Sequence, residues 1–171
     1  AAAIAVVKIN EIVREIGGNC VGTVGWINAE PGAFNVIPGR TEFWIDMRDT
    51  AQTGMDSAID AVKSSVADIC ERSGLQYEIN ERVRTTPVLM SERITTTIEQ
   101  VVRSREIRYI RMPSRAGHDA MHMARLTDAG MIFVPSRRGI SHSPKEWTDW
   151  DDIARGTDVL LGTLEQLAEK L

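Results

Sequence analysis

CVGTVGWINAEPGAFNVIPGRTEFWIDMRD, residues 20–49, is the stretch whose reading decides the fold of the first half of the chain. Residues 20–30 alternate and are rich in β-branched side chains, which is the pattern of a strand. Residues 40–49 set Phe43, Ile45 and Met47 against Glu42, Asp46 and Arg48, the period of a strand with one dry face. Between them, residues 31–40 carry two Pro-Gly pairs and read as a connection. The expectation is an antiparallel pair.

Working outward, Ile4, Val7, Ile9, Ile12, Val13 and Ile16 recur near the helical period ahead of the first strand, and Gly17-Gly18 closes that helix. The helix starts at residue 1 with neither cap nor initiator Met, so the chain is expected to be part of a longer one. After the second strand, residues 55–74 form an amphipathic helix with Ile59, Val62, Val66 and Ile69 inward and a stop at Gly74. Residues 75–88 read as a third strand. Helix, strand, strand, helix, strand is a ferredoxin-like split β-α-β unit lacking its first strand.

The character changes near residues 87–91, which sets the expected domains at 1–88 and 89–171. Residues 91–104 form a helix with Ser91 as N-cap, followed by a strand through Tyr109. A polar turn begins at Ser114. Residues 119–130 form a helix that Asp119 can cap. MIFVPS, residues 131–136, is an apolar strand of the kind found in a parallel sheet covered on both faces. The turn at residues 139–144 leads to a last helix, from Thr148 or Asp151 to Leu171. The second half is therefore expected to be α/β, the first α+β.

Charged residues are 26% and hydrophobic ones 43%, a globular composition, and the net charge of −4 gives no drive toward nucleic acid. The basic run RSREIRYIR, residues 103–111, alternates like a strand with one wet face; a binding patch is the other reading. No apolar run approaches the roughly 20 residues of a membrane span. Cys20 and Cys70 have neither metal-pair spacing nor a disulfide framework, which points to a reducing, cytoplasmic setting.

All three histidines lie in or beside the two polar turns of the second half. His142 follows a buried strand, where open α/β sheets place their sites, and a neutral imidazole there can ligate a metal. Ser141 and Ser143 beside it lack the Gly-x-Ser-x-Gly elbow of a nucleophile. Gly117 and His118 precede a helix start, where backbone N–H groups favour an anion or a developing oxyanion. His122 is a packing or surface residue. Arg48 and Asp46 share a strand face and Asn35 lies in the connection. By residue type alone these are equally a surface ion pair and a turn residue.

Residues 23–49, 112–124 (MPSRAGHDAMHMA) and 130–147 (GMIFVPSRRGISHSPKEW) resemble, in order and spacing, the C-terminal part of the N-carbamoyl-amino acid amidohydrolases. That family includes allantoate amidohydrolase and β-ureidopropionase, within the aminoacylase and carboxypeptidase-G-like dinuclear metallohydrolases. The resemblance covers nearly the whole chain. It implies that residues 1–88 are most of a lid or dimerisation domain. Residues 89–171 would be the C-terminal portion of a zinc-peptidase-like catalytic domain.

The implied activity is metal-dependent cleavage of a carbamoyl or ureido C–N bond in a small carboxylate substrate, by a homodimer joined through the lid. Asn35 and Arg48 match the substrate-binding Asn and Arg. Gly117 and His118 match the substrate-binding glycine-rich turn and its catalytic histidine. His142 matches one ligand of a pair of divalent ions (Mn, Zn, Co or Ni). The family's other metal ligands, its general-base Glu and a further site histidine on a lid strand fall upstream of residue 1, so the chain alone is expected to be inactive. The other function class, a non-catalytic dimerisation module, needs none of them. One departure stands out: the family turn reads Ser-Gly-Ala-Gly-His-Asp, and here Arg115 replaces the first glycine, a poor fit if the position needs positive φ.

Overall fold

A computed structural model describes residues 1–169. The chain divides into two compact units, Ala1–Pro87 and a second from Val88 onward. The first contains α1 (Ala2–Ile16), β1 (Val21–Glu30), β2 (Arg40–Arg48) and α2 (Gln52–Arg72). β1 and β2 are antiparallel, from Val21 opposite Arg48 to Glu30 opposite Arg40, with a register shift between Val24 and Trp26. The dry face predicted for β2 is realised. Phe43, Ile45 and Met47, with Val24 of β1, pack on Ile9 and Ile12 of α1 and Val62 of α2. A second cluster joins Val13, Cys20 and Ala58. The strand runs so close to α1 that a Cβ on Gly22 would come within 2.7 Å of Val13 Cγ1.

The inward face of α1 differs from the expected one. Ala5, Ile9, Ile12 and Val13 are buried, while Ile4 and Val7 are each 60% exposed. One helix on one hairpin can bury only a narrow stripe, and Ile4 and Val7 fall outside it. Gly17 ends α1 at φ 71, as its position predicted. In α2, Val62 is buried and Ile59 and Ile69 are half-buried.

Residues 75–88 form no strand, so the predicted split β-α-β unit is reduced to helix, strand, strand, helix. Side chains tether this segment instead. Glu81 lies 3.8 Å from Lys63 and Arg84 lies 3.5 Å from Asp56, both on α2. The Arg82 guanidinium sits 5.3 Å from the centre of the Trp44 ring on β2. A strand needs a backbone ladder as well as a strand-like sequence, and here none forms.

The second unit contains α3 (Glu92–Ser104), α4 (Asp119–Met123), a single 3₁₀ turn (Arg137–Gly139) and α5 (Trp150–Ala168). Val101 and Val102 of α3 pack against Val159 of α5, with Ile98, Ile107 and Ile132 around them. Ser91 is the N-cap residue of α3 but caps through no side-chain bond; its carbonyl accepts both the N–H and the hydroxyl of Thr95. The strands expected through Tyr109 and at residues 131–136 are absent among the described residues, although Ile107 and Ile132 still reach the core. The helix expected over 119–130 stops at Met123, where the N–H groups of Leu126 and Thr127 both turn back to its carbonyl. Met123 and Leu126 are exposed, so no packing holds a longer helix. Asp119 is the first helical residue, and the N-cap is His118. The expected end of the last helix at Leu171 lies outside the described residues. Among those described, no helix is long and apolar enough to cross a membrane.

Candidate functional site

Because Phe43, Ile45 and Met47 face the helices, the alternation of β2 puts Glu42, Trp44, Asp46 and Arg48 on the open face. There Arg48 and Asp46 meet fork to fork. Arg48 Nε donates to Asp46 Oδ1 at 3.0 Å and Nη2 to Oδ2 at 2.6 Å. That bond, with partial burial opposing it, holds the Asp46 carboxyl below its ordinary range. The same bond pushes the Arg48 guanidinium up. Trp26 and Trp44 pack edge to face on this surface, ring centres 6.0 Å apart. Arg48 is therefore an exposed guanidinium already held in carboxylate-binding geometry.

Asn35 is exposed in the connection, whose backbone is closed by Val36 N–H to Ala33 O and Gly39 N–H to Glu30 O. It lies beyond one end of the hairpin and Arg48 ends the other, opposite Val21. Arg48 lies eight residue steps along the strand from Arg40. At about 3.3 Å each, that is about 26 Å of strand.

In the second unit the turn at residues 114–118 is closed by Ser114. Its Oγ accepts the Ala116 N–H at 3.2 Å and is hydrogen-bonded to His118 Nε2. The His118 ring is half-buried, its centre 5.6 Å from that of Phe133. Arg115 has φ 58, the left-handed region that its replacement of glycine had pointed to. A Cβ on the exposed Gly117 would meet nothing within 4 Å. Because α4 has only five residues, any attraction of its N-terminus for an anion is slight. His122 is exposed on α4.

The second turn is held by its own polar groups. Ser136 Oγ donates to Ile140 O at 2.5 Å, Arg137 N–H to Trp147 O at 2.7 Å, and Arg137 Nη2 to Asp149 Oδ1 at 2.6 Å. Arg138 and His142 are left-handed, at φ 60 and 54. The His142 N–H donates to Glu146 Oε2 at 2.9 Å, and the Glu146 N–H donates to Ser143 O at 2.9 Å. Among the described residues, three of the four non-glycine residues at positive φ, Arg115, Arg138 and His142, thus lie in the two turns that carry His118 and His142. His142 is an exposed single donor. Among the described residues no group of three or more His, Cys, Asp or Glu could hold a metal ion, so they do not build a metal centre by themselves.

The structure joins His118 to Ser114 and Phe133, and His142 to Glu146. Asn35 and Arg48 stay at opposite ends of their hairpin. Sequence reasoning missed Ser114, Phe133 and Glu146 as supports. The spacing of four residues from Ser114 to His118 and from His142 to Glu146 was the available signal, since a turn brings such residues within reach.

Residues 3–166 match Peptidase family M20/M25/M40. An uncharacterized hydrolase of Haemophilus influenzae is 41% identical over 161 residues, covering 94% of this chain and 39% of that protein. The N-carbamoyl-L-amino-acid amidohydrolase of Paenarthrobacter aurescens is 34% identical, with 97% of this chain and 40% of that protein covered. A crystal structure of an amidase of the hydantoinase/carbamoylase family from Burkholderia multivorans matches with a TM-score of 0.92 and 28% identity, over 95% of this chain and 39% of that one. The chain spans about two fifths of the length of the curated relatives it matches.

Proposed function

The chain belongs to Peptidase family M20/M25/M40, and from that premise we propose that it is part of a metal-dependent amidohydrolase. The reaction is hydrolysis of a carbamoyl or ureido C–N bond in a small carboxylate substrate. Residues 1–88 serve as the lid and dimerisation domain and residues 89–171 as the C-terminal portion of the catalytic domain, in a reducing cytoplasm where Cys20 and Cys70 stay free. The observation that carries the reading is the fork of Arg48, since a guanidinium offers two parallel N–H bonds to a carboxylate.

In this reading Arg48 takes the substrate carboxylate, exchanging it for Asp46, and Asn35 holds a second polar group. One hairpin that keeps them about 26 Å apart along the strand does not place both on one small molecule. A dimer that draws Arg48 from one copy and Asn35 from the other does. Gly117 and His118 steady the carbonyl oxygen as it gains charge. His142 contributes one ligand to a pair of divalent ions (Mn, Zn, Co or Ni), whose Lewis acidity belongs to the parent site. The remaining ligands and the general base come from the three fifths of the relatives' length that this chain does not cover.

Arg48→Lys in the full-length protein tests the reading. Loss of a charge-assisted pair in a closed site costs roughly 2–5 kcal/mol, about thirtyfold or more in kcat/KM, on carboxylate substrates only. Near-normal kinetics would reduce Arg48 and Asp46 to a surface ion pair and remove the clamp.

A further inference from the structure

The Ser114–His118 contact bears on which nitrogen of the His118 ring carries the proton. A serine hydroxyl has one hydrogen to give and two lone pairs to receive with. The Ala116 N–H occupies one lone pair of Ser114 Oγ, at 3.2 Å. The hydroxyl keeps one hydrogen and one further lone pair, and giving the hydrogen to His118 Nε2 is the arrangement that leaves it with a partner inside the turn. A neutral imidazole that accepts at Nε2 carries its own hydrogen on Nδ1. The left-handed Arg115 between Ser114 and Ala116 makes the bend that lets one hydroxyl reach both groups. The Phe133 ring, its centre 5.6 Å from that of His118, restricts the rotation of the imidazole.

We propose that Ser114 is a positioning residue that holds His118 as the Nδ1–H tautomer, so that the ring presents a donor at Nδ1 and none at Nε2. Only the consequence for catalysis rests on the reading of His118 above: a group that steadies a charging carbonyl oxygen must donate, and the donor is then Nδ1–H.

The test exploits a chain with three histidines. With the histidines ¹⁵N-labelled and the rings neutral, long-range ¹H–¹⁵N correlation spectra report which nitrogen is protonated, with His122 and His142 as references in the same sample. His118 is expected to show protonated Nδ1 and bare Nε2. Ser114→Ala should shift it toward the pattern of the exposed His122, and Ser114→Thr should restore it. Protonated Nε2 in the unaltered chain, or a pattern indifferent to Ser114→Ala, overturns the proposal. If the His122 and His142 signals also move in Ser114→Ala, the unaltered chain and Ser114→Thr decide. In the full-length protein, Ser114→Ala should lower kcat by up to about a hundredfold with little change in KM, rescued by Thr. A tautomer shift without loss of kcat would instead sink the role given to His118 and leave the Ser114 assignment standing.

Discussion

Arg48 and His142 are placed by opposite means. Arg48 ends a strand whose ladder, register and inward-facing neighbours fix it from a distance, and its φ is not positive. His142 sits in a turn at φ 54, held by one carboxylate four residues on. An L-residue in that backbone region costs roughly 1–2 kcal/mol, which the local bonds must offset. The position of Arg48 is thus vulnerable through the core beneath it, and that of His142 through a few local hydrogen bonds, of which the one to Glu146 touches it directly. His118 is of the second kind, with Ser114 in the part of Glu146.

The largest effect that could break this contrast lies under the hairpin. Ile9 is 2% exposed, between both strands and α2. Ile9→Ala should cost about 2–5 kcal/mol, read as faster exchange of the β1–β2 amides. Protected strand amides in that variant would show that the ladder does not depend on the core. For the turn, Glu146→Ala should remove about 1 kcal/mol of local protection. The His142 amide would then exchange roughly fivefold faster while α3 and α5 amides keep their rates. An unchanged His142 amide would mean that something other than Glu146 holds the left-handed backbone. Arg115→Gly should raise Tm. It relieves roughly 1–2 kcal/mol of strain against an entropic cost near 0.5–1, a net gain of about 0.5–1 kcal/mol. A lower Tm would show that the Arg115 side chain contributes more than its backbone loses.

The smallest effect is in pH. The Asp46 carboxyl is held below its ordinary range by Arg48, so its contribution is present at neutral pH and fades only as pH falls through the depressed value. A carbon NMR titration of the Asp46 carboxyl should stay flat from pH 8 to 5 and bend below about pH 3.9. Both partners are exposed, so less than about 1 kcal/mol is at stake. A midpoint in the ordinary Asp range would mean that the fork is not kept in solution.

What was legible in the sequence divides along similar lines. The hairpin was readable because its alternation, Phe43, Ile45 and Met47 against Asp46 and Arg48, matches a face with helices to cover it. The long helices were readable for the same reason, down to the stop at Gly17. Residues 75–88 and 131–136 carry strand patterns without strand partners, and pattern alone cannot report whether a neighbour is present. On the α1 stripe, periodicity ranked Ile4 and Val7 with Ile9, and only the width of the covering hairpin separates them. In the turns, residue types marked His118 and His142, but their supports act through side-chain bonds that no hydrophobic period encodes.

The left-handed backbone at residue 142 also limits what could stand in place of its histidine. Among non-glycine residues that region favours Asn, Asp and His and penalises the others. If His142 holds a metal ion as proposed above, any replacement there is filtered twice, by donor chemistry and by φ. Aspartate passes both filters, whereas cysteine and glutamate pass the first and are penalised by the second. Selection for a new ion at this turn would be channelled toward an oxygen ligand and harder cations such as manganese or magnesium, and away from thiolate and the softer metals. The alphabet of ligands open to this position is written in its backbone before any metal arrives.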